Sequence, residues 1–163
     1  MIGSKITHLL NRFARNESGG TLAELAILIP FLAVMLAGVT EVGRLFQNYT
    51  TLSKATRTAS RYLSNHPFTT AEKDKAKNLV VCGKLTACGA DERLVKGIET
   101  ANVCIESTGS PTVETVTVRI PRAAGDCGAP YLHQPIFDIG ALLHTSFSLS
   151  VPLSPSTTMW HRD

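Results

Sequence analysis

The sequence predicts an α+β protein in which one long N-terminal helix, apolar over its first half and amphipathic over its second, lies against a small disulfide-stapled antiparallel sheet. Three observations carry this reading. The run from Leu22 to Val39, LAELAILIPFLAVMLAGV, is nearly uninterrupted apolar sequence. Residues of one helical face then recur every three or four positions at Val42, Leu45, Phe46, Tyr49, Leu52, Thr56, Ala59 and Leu63. Beyond Pro67 short alternating segments take over, and all 4 cysteines lie there.

The apolar run comes first. As a helix at about 1.5 Å per residue, Leu22–Val39 covers roughly 27 Å, close to the hydrocarbon thickness of a bilayer, so it reads as a short membrane span. Glu24 interrupts it near its start. An isolated carboxylate in hydrocarbon costs on the order of a few kcal/mol at depth and less near the interface, so Glu24 implies a partner. Pro30 has no amide hydrogen to donate and its ring displaces a carbonyl, a potential kink. The small residues Ala23, Ala26, Ala33, Ala37 and Gly38 permit close helix approach, although ordinary membrane helices share that composition.

Charge sets the orientation. The net charge is +3, and most of it belongs to the leader, where Lys5, Arg12 and Arg15 face Glu17. Basic residues just before an apolar helix keep that end in the cytoplasm, while Glu41 and Arg44 beyond it balance one another, so the expected topology is N-in and C-out. A cleaved secretory signal fits less well: the leader is long, Glu24 and Pro30 break the apolar run, and no small-x-small site follows it. A plain single-span anchor, with Gly19-Gly20 a flexible start and Glu24 reaching for head groups, is the simpler rival. The helical pattern persists to Asn65-His66-Pro67, where proline disfavours a helical residue before it. From Gly20 to Asn65 a continuous helix reaches about 69 Å.

The chain thus divides into a basic cytoplasmic leader (1–19), a membrane and amphipathic helix (20–65) and a C-terminal α+β domain (66–163). About 100 residues form a small core, for which staples help. Cys82, Cys88, Cys104 and Cys127 are an even set in a small domain, which suits disulfides in an oxidising compartment. Of three full pairings, Cys82 with Cys88 and Cys104 with Cys127 is favoured, because the first pair encloses a short turn-like stretch and the second joins a strand to a Gly/Pro-rich loop. A metal site lacks both a CxxC and a histidine at ligand spacing.

Thr69-Thr70-Ala71-Glu72 has capping-box spacing and opens a polar helix over 70–80, with its charges on solvated faces. Residues 90–100 read as a second short helix, weakened by Gly97. Three strands are expected, at 101–107, 111–120 and 145–153, the first two joined by a hairpin at Ser107–Pro111. Residues 122–134 read as a surface loop open to partners, and 157–163 as a loose tail with Trp160 either docked or adhesive, docking being the commoner outcome. No catalytic or nucleotide-binding fingerprint is present, and His66, His133 and His144 are scattered, so structural histidines, no enzyme and no cofactor are expected. Dispersed basic residues argue against nucleic acid as a partner.

The order Gly19, Gly20, Thr21, Leu22, Ala23, Glu24 resembles the processing site of type IV pilin precursors, with Leu25 where Flp-type major pilins usually carry an aromatic. The run Glu41-Val42-Gly43-Arg44-Leu45-Phe46, then Thr51-Leu52 and Ala55 through Ala59-Ser60-Arg61-Tyr62, resembles the TadE-like pseudopilins of the tight-adherence system. The resemblance covers Gly19 to Tyr62. It implies a pilin-like architecture, a motif at Glu41, Gly43 and Arg44, and cleavage between Gly19 and Gly20 by a membrane prepilin peptidase. It further implies work in assembling a Flp/Tad pilus, with other pilins or pseudopilins as partners through the N-terminal helix.

The chemistry suits those residues. Glycine at the cut leaves the peptide bond unobstructed. Cleavage creates an α-amine on Gly20, largely cationic near neutral pH given a typical pKa of about 7.7 to 8.0. That amine lies at the depth of Glu24. Between staggered helices, the amine of one subunit meets the carboxylate of its neighbour, and removing one member strands the other. The expectation is a pseudopilin or minor pilin of the inner membrane with a periplasmic C-terminal domain. The alternative is a permanently anchored periplasmic binding module.

Overall fold

The computed structural model describes residues 18–109, 114–123, 125, 127–136 and 150–162. The chain forms two compact units, Met1–Thr40 and Glu41–Asp163. The first helix, α1 (Ser18–Leu63), runs unbroken through Pro30. It begins and ends two residues earlier than the expected 20–65. The Asn65 N–H bonds Tyr62 O at 3.2 Å, tightening the last turn ahead of Pro67.

Within the N-terminal unit the described part is helix alone. Leu22, Leu25, Ile27, Leu28, Ile29, Phe31 and Leu32 all lie more than half exposed. Leaving a large apolar side chain in water forgoes roughly 1.5–3 kcal/mol each, so this surface demands a bilayer or a neighbour to cover it. Length and composition qualify the helix as a candidate membrane span.

The C-terminal unit builds its core on the rest of α1. Leu52, Ala55, Ala59 and Leu63 recur at helical spacing and are buried, joined by Ala76, Val80 and Val81, by Val95 and Ile98, and by Val116, Val118, Ile120, Tyr131 and Leu153. The amphipathic pattern was only partly followed. Val42, Phe46 and Tyr49, expected on the buried face, are exposed, Phe46 by 66%. The buried line at that end runs instead through Glu41, one residue and about 100° around the helix from Val42.

Helix α2 (Thr70–Cys82) starts where expected and runs two residues further. Thr69 Oγ1 accepts from the Glu72 N–H at 3.4 Å, and Gly83 closes the helix through its N–H to Leu79 O at 3.1 Å. Glu72 is not merely solvated, since it receives hydrogen bonds from Tyr62 and Lys75. The helix expected over 90–100 is absent. Two single 3₁₀ turns, Ala90–Glu92 and Thr100–Asn102, stand in its place, separated by Gly97 at φ +81°, which no right-handed helix accommodates.

The sheet is antiparallel and three-stranded, ordered β1 (Cys104–Thr108), β2 (Thr115–Arg119), β3 (Ser156–Trp160). Ile105 faces Val118 and Ser107 faces Val116; Val118 faces Thr157 and Val116 faces Met159. Alternation along β2 buries Val116 and Val118 and leaves Thr115, Thr117 and Arg119 on the other side. The sheet lies on α1 as expected: Thr56 Oγ1 is 3.3 Å from Thr157 Oγ1, and Ser60 Oγ donates to Thr157 O at 3.0 Å. Both first strands are shorter than expected, since 101–102 belong to a 3₁₀ turn; residues 110–113, including part of the expected hairpin, lie outside the described residues.

The third strand is a correction. Residues 145–149 lie outside the described residues, and 150–153 form no strand, only an isolated antiparallel bridge between Leu132 and Pro152. Pro152 and Pro155 have no N–H for a ladder. The strand is supplied by the expected tail, where β-branched Thr157 and Thr158 suit extended structure. Trp160 is not docked but 74% exposed at its end. The disulfides are those favoured, Cys82–Cys88 and Cys104–Cys127, with Cα separations of 5.9 and 5.5 Å.

Candidate functional site

Two sets of residues stand out, one in each unit. In the N-terminal unit, Gly19 and Gly20 lie in the first turn of α1, and Glu24 follows Gly20 by four residues. A Cβ at Gly20 meets no atom within 4 Å. Glu24 is exposed and, among the described residues, has no ion-pair partner. Ala23, Ala26, Pro30 and Ala33 are exposed, and Ala37 and Gly38 half-buried, so this stretch offers a surface with little side-chain relief.

The second set is a buried polar junction at the start of the C-terminal unit. His133 Nε2 lies 2.9 Å from Glu41 Oε1, with relative side-chain exposures of 0% and 1%. On the other edge of the ring, Nδ1 is 3.1 Å from Asn48 Nδ2. An amide nitrogen only donates, so Nδ1 accepts and Nε2 carries the hydrogen given to Glu41. The second carboxylate oxygen, Oε2, accepts the Ile136 N–H at 3.3 Å and stands 3.6 Å from Arg44 Nη1. A carboxylate out of water is tolerable only when met in this way.

The segment bearing His133 is held by its own contacts. Asn102 Nδ2 donates to Ala129 O at 3.1 Å and Pro130 O at 3.3 Å, while its Oδ1 accepts the Glu99 N–H at 2.8 Å. Gly128 passes so near the 3₁₀ turn that a Cβ there sits 2.8 Å from Ala101 O. Tyr131 donates to Lys96 O at 2.9 Å, and burial pushes its phenol pKa up, with Arg44 opposing. The expected surface loop over 122–134 is therefore only partly one, because Tyr131 and His133 are buried.

Of the expected motif residues, Glu41 and Arg44 meet across 3.6 Å, whereas Gly43 is exposed with open space where a Cβ would lie. Cys104, Glu106 and Cys127 cluster, but both sulfurs are spent in the disulfide and Glu106 binds Arg119 through Nε at 3.2 Å and Nη2 at 2.8 Å. His66 Nδ1 meets Tyr62 O at 2.8 Å, His133 is the ring of the junction, and His144 lies outside the described residues. In the sequence His133 is one of several scattered histidines with no mark of this role. The only signal toward its role was a carboxylate, Glu41, on a helix face otherwise filled by apolar and small residues.

The family model described as TadE-like protein matches residues 19–61, within the Gly19–Tyr62 stretch that resembles that family. No curated protein and no solved structure matches the chain.

Proposed function

We propose that this chain, TadE-like over residues 19–61, is a pseudopilin or minor pilin that takes part in assembling a Tad/Flp-type pilus. Its coarser part, a membrane-anchored, pilus-associated and non-enzymatic protein, is supported by the family match over residues 19–61 and by the exposed apolar helix. In the finer reading a prepilin peptidase cuts between Gly19 and Gly20, the leader stays cytoplasmic, and residues beyond the span form a periplasmic domain. The mature protein rests in the inner membrane, available to other pilins.

The observation that supports this reading is the placement of Glu24. It projects from an apolar helix with no partner among the described residues, four residues after the glycine whose amine a cut at Gly19 frees. In low dielectric such a pair supplies register between staggered helices, and an unpaired carboxylate is costly. Disulfides in the C-terminal unit accord with an oxidising compartment beyond the membrane.

Substituting Glu24→Ala tests the mechanism. Membrane insertion, read by fractionation, is expected to hold while filament output falls. Normal filaments from the variant would count against an assembly ion pair.

A further inference from the structure

Two segments of the C-terminal unit, 128–136 and 150–160, contain no Asp, Glu, Lys or Arg, although 18% of the chain is charged. They run side by side over 131–133 and 151–153. Leu132 bridges Pro152, the His133 N–H donates to Val151 O at 3.0 Å, and the Leu153 N–H donates to Tyr131 O at 3.1 Å. Tyr131, His133 and Leu153 are buried, whereas Leu132, Val151 and Ile136 are exposed, Ile136 by 64%. An apolar, uncharged rim is thus presented to the surroundings.

That rim is tied to one point of the chain. Glu41 Oε2 accepts the Ile136 N–H at 3.3 Å, and Oε1 meets His133 at 2.9 Å. Glu41 follows Thr40 directly, and the apolar run ends at Val39. The carboxylate that anchors Ile136 therefore starts only about 3 Å of helix rise past Val39. The head-group layer on each side of a bilayer is roughly 5–7 Å deep.

We propose that the loop around Ile136 is an interfacial anchor, seated in the head-group layer of the leaflet that the C-terminal side of the span enters. A hydrogen bond holds it there, since the Ile136 N–H stays 3.3 Å from Glu41 Oε2, and Glu41 is two residues along the chain from Val39 however the two units are oriented. Cover explains the burial of Glu41: at that depth the carboxylate is met by donors from the same loop that carries the apolar rim. Lack of charge selects the lipid chemistry. Neither segment carries a cation, and the nearest one, Arg44 on α1, is met by Glu41 Oε2 at 3.6 Å, so the loop takes a zwitterionic interface and needs no anionic lipid, unlike basic surface-binding segments. The inference rests on the membrane span alone, so a failure of peptidase processing or of pilus assembly leaves it standing.

The test uses the full chain in phosphatidylcholine nanodiscs, with lipids brominated high on the acyl chains as quenchers. The native protein has 1 tryptophan, Trp160. It serves as the distant control, because the Arg162 N–H nearby bonds Ser64 O at the far end of α1, roughly 35 Å of helix rise from Glu41. Ile136→Trp in a Trp160→Phe background is expected to lose about half its emission to the brominated lipid and to emit further to the blue, independently of salt and of added anionic lipid. Native Trp160 should show neither change. Val151→Trp in the same background reads the facing segment independently. Quenching at 136 no greater than at Trp160 overturns the proposal, and so does a blue-shifted but unquenched indole, which assigns the rim to another protein chain.

Discussion

His133 reaches across a sequence separation of 92 to place Nε2 2.9 Å from Glu41 Oε1, closing the segment 128–136 onto the helix at the first residue of the C-terminal unit. Removing one member of a buried pair strands the other. Glu41→Ala or His133→Ala is therefore expected to cost about 3 kcal/mol, and the double variant distinctly less than the sum. Denaturant unfolding of the full chain in micelles measures this, and strictly additive losses would show that the two side chains do not act together.

A second link joins α1 to α2. Tyr62 donates to Glu72, and Lys75 Nζ reaches the other carboxylate oxygen at 2.9 Å. The Tyr62 bond, then Lys75, holds the Glu72 carboxyl below its usual value of 4.5. A lowered folded-state value means that the stabilisation is present above the unfolded value and lost as pH falls through the folded one. The Tyr62 phenol is raised from 10.0, first by that same bond, so its contribution is complete below the unfolded value and fades as pH climbs through the folded one. Tyr62→Phe should flatten the decline of melting temperature at both acid and alkaline ends; superimposable profiles for the two proteins would contradict the link.

The staples differ in weight. Cys104 and Cys127 are separated by 23 residues and Cys82 and Cys88 by 6. Restricting the unfolded chain over the longer loop contributes about 3 kcal/mol against about 2 for the shorter. Replacing Cys104 and Cys127 with serine should lower the midpoint of unfolding more than replacing Cys82 and Cys88, and the reverse order would show that loop entropy is not what the bridges supply.

Gly43 has no steric need to be glycine in the single chain, as a Cβ there meets nothing within 4 Å. Inside a helix, alanine is favoured over glycine by up to about 1 kcal/mol. Gly43→Ala should hold or raise the melting temperature, and a drop would reveal an intramolecular constraint. Filament output lowered in a variant of full stability would assign the glycine to the approach of another subunit.

Much of the architecture was legible because its signals are local. Apolar length gave the first half of the long N-terminal helix, three-and-four spacing gave its amphipathic continuation, and Thr69 with Gly83 bracketed α2 by cap chemistry. What escaped depended on distant partners. Ser156–Trp160 has no apolar alternation and becomes a strand because Val116 and Val118 face Met159 and Thr157 while Ser60 and Ser64 meet its edge and the residues after it. Val42, Phe46 and Tyr49 fit the helical face by spacing, yet Glu41 and Asn48 take the inward positions because His133 satisfies both. Ser150–Leu153 alternates well but carries Pro152, and pattern alone does not weigh the missing donor.

Intact mass and N-terminal sequence of the membrane protein, from cells with and without a prepilin peptidase, decide whether the leader is a processed element. A mature chain beginning at Gly20 only when the peptidase is present is the expected result. The same Met1 species in both would contradict it, since Glu24 would then have no freed amine to meet.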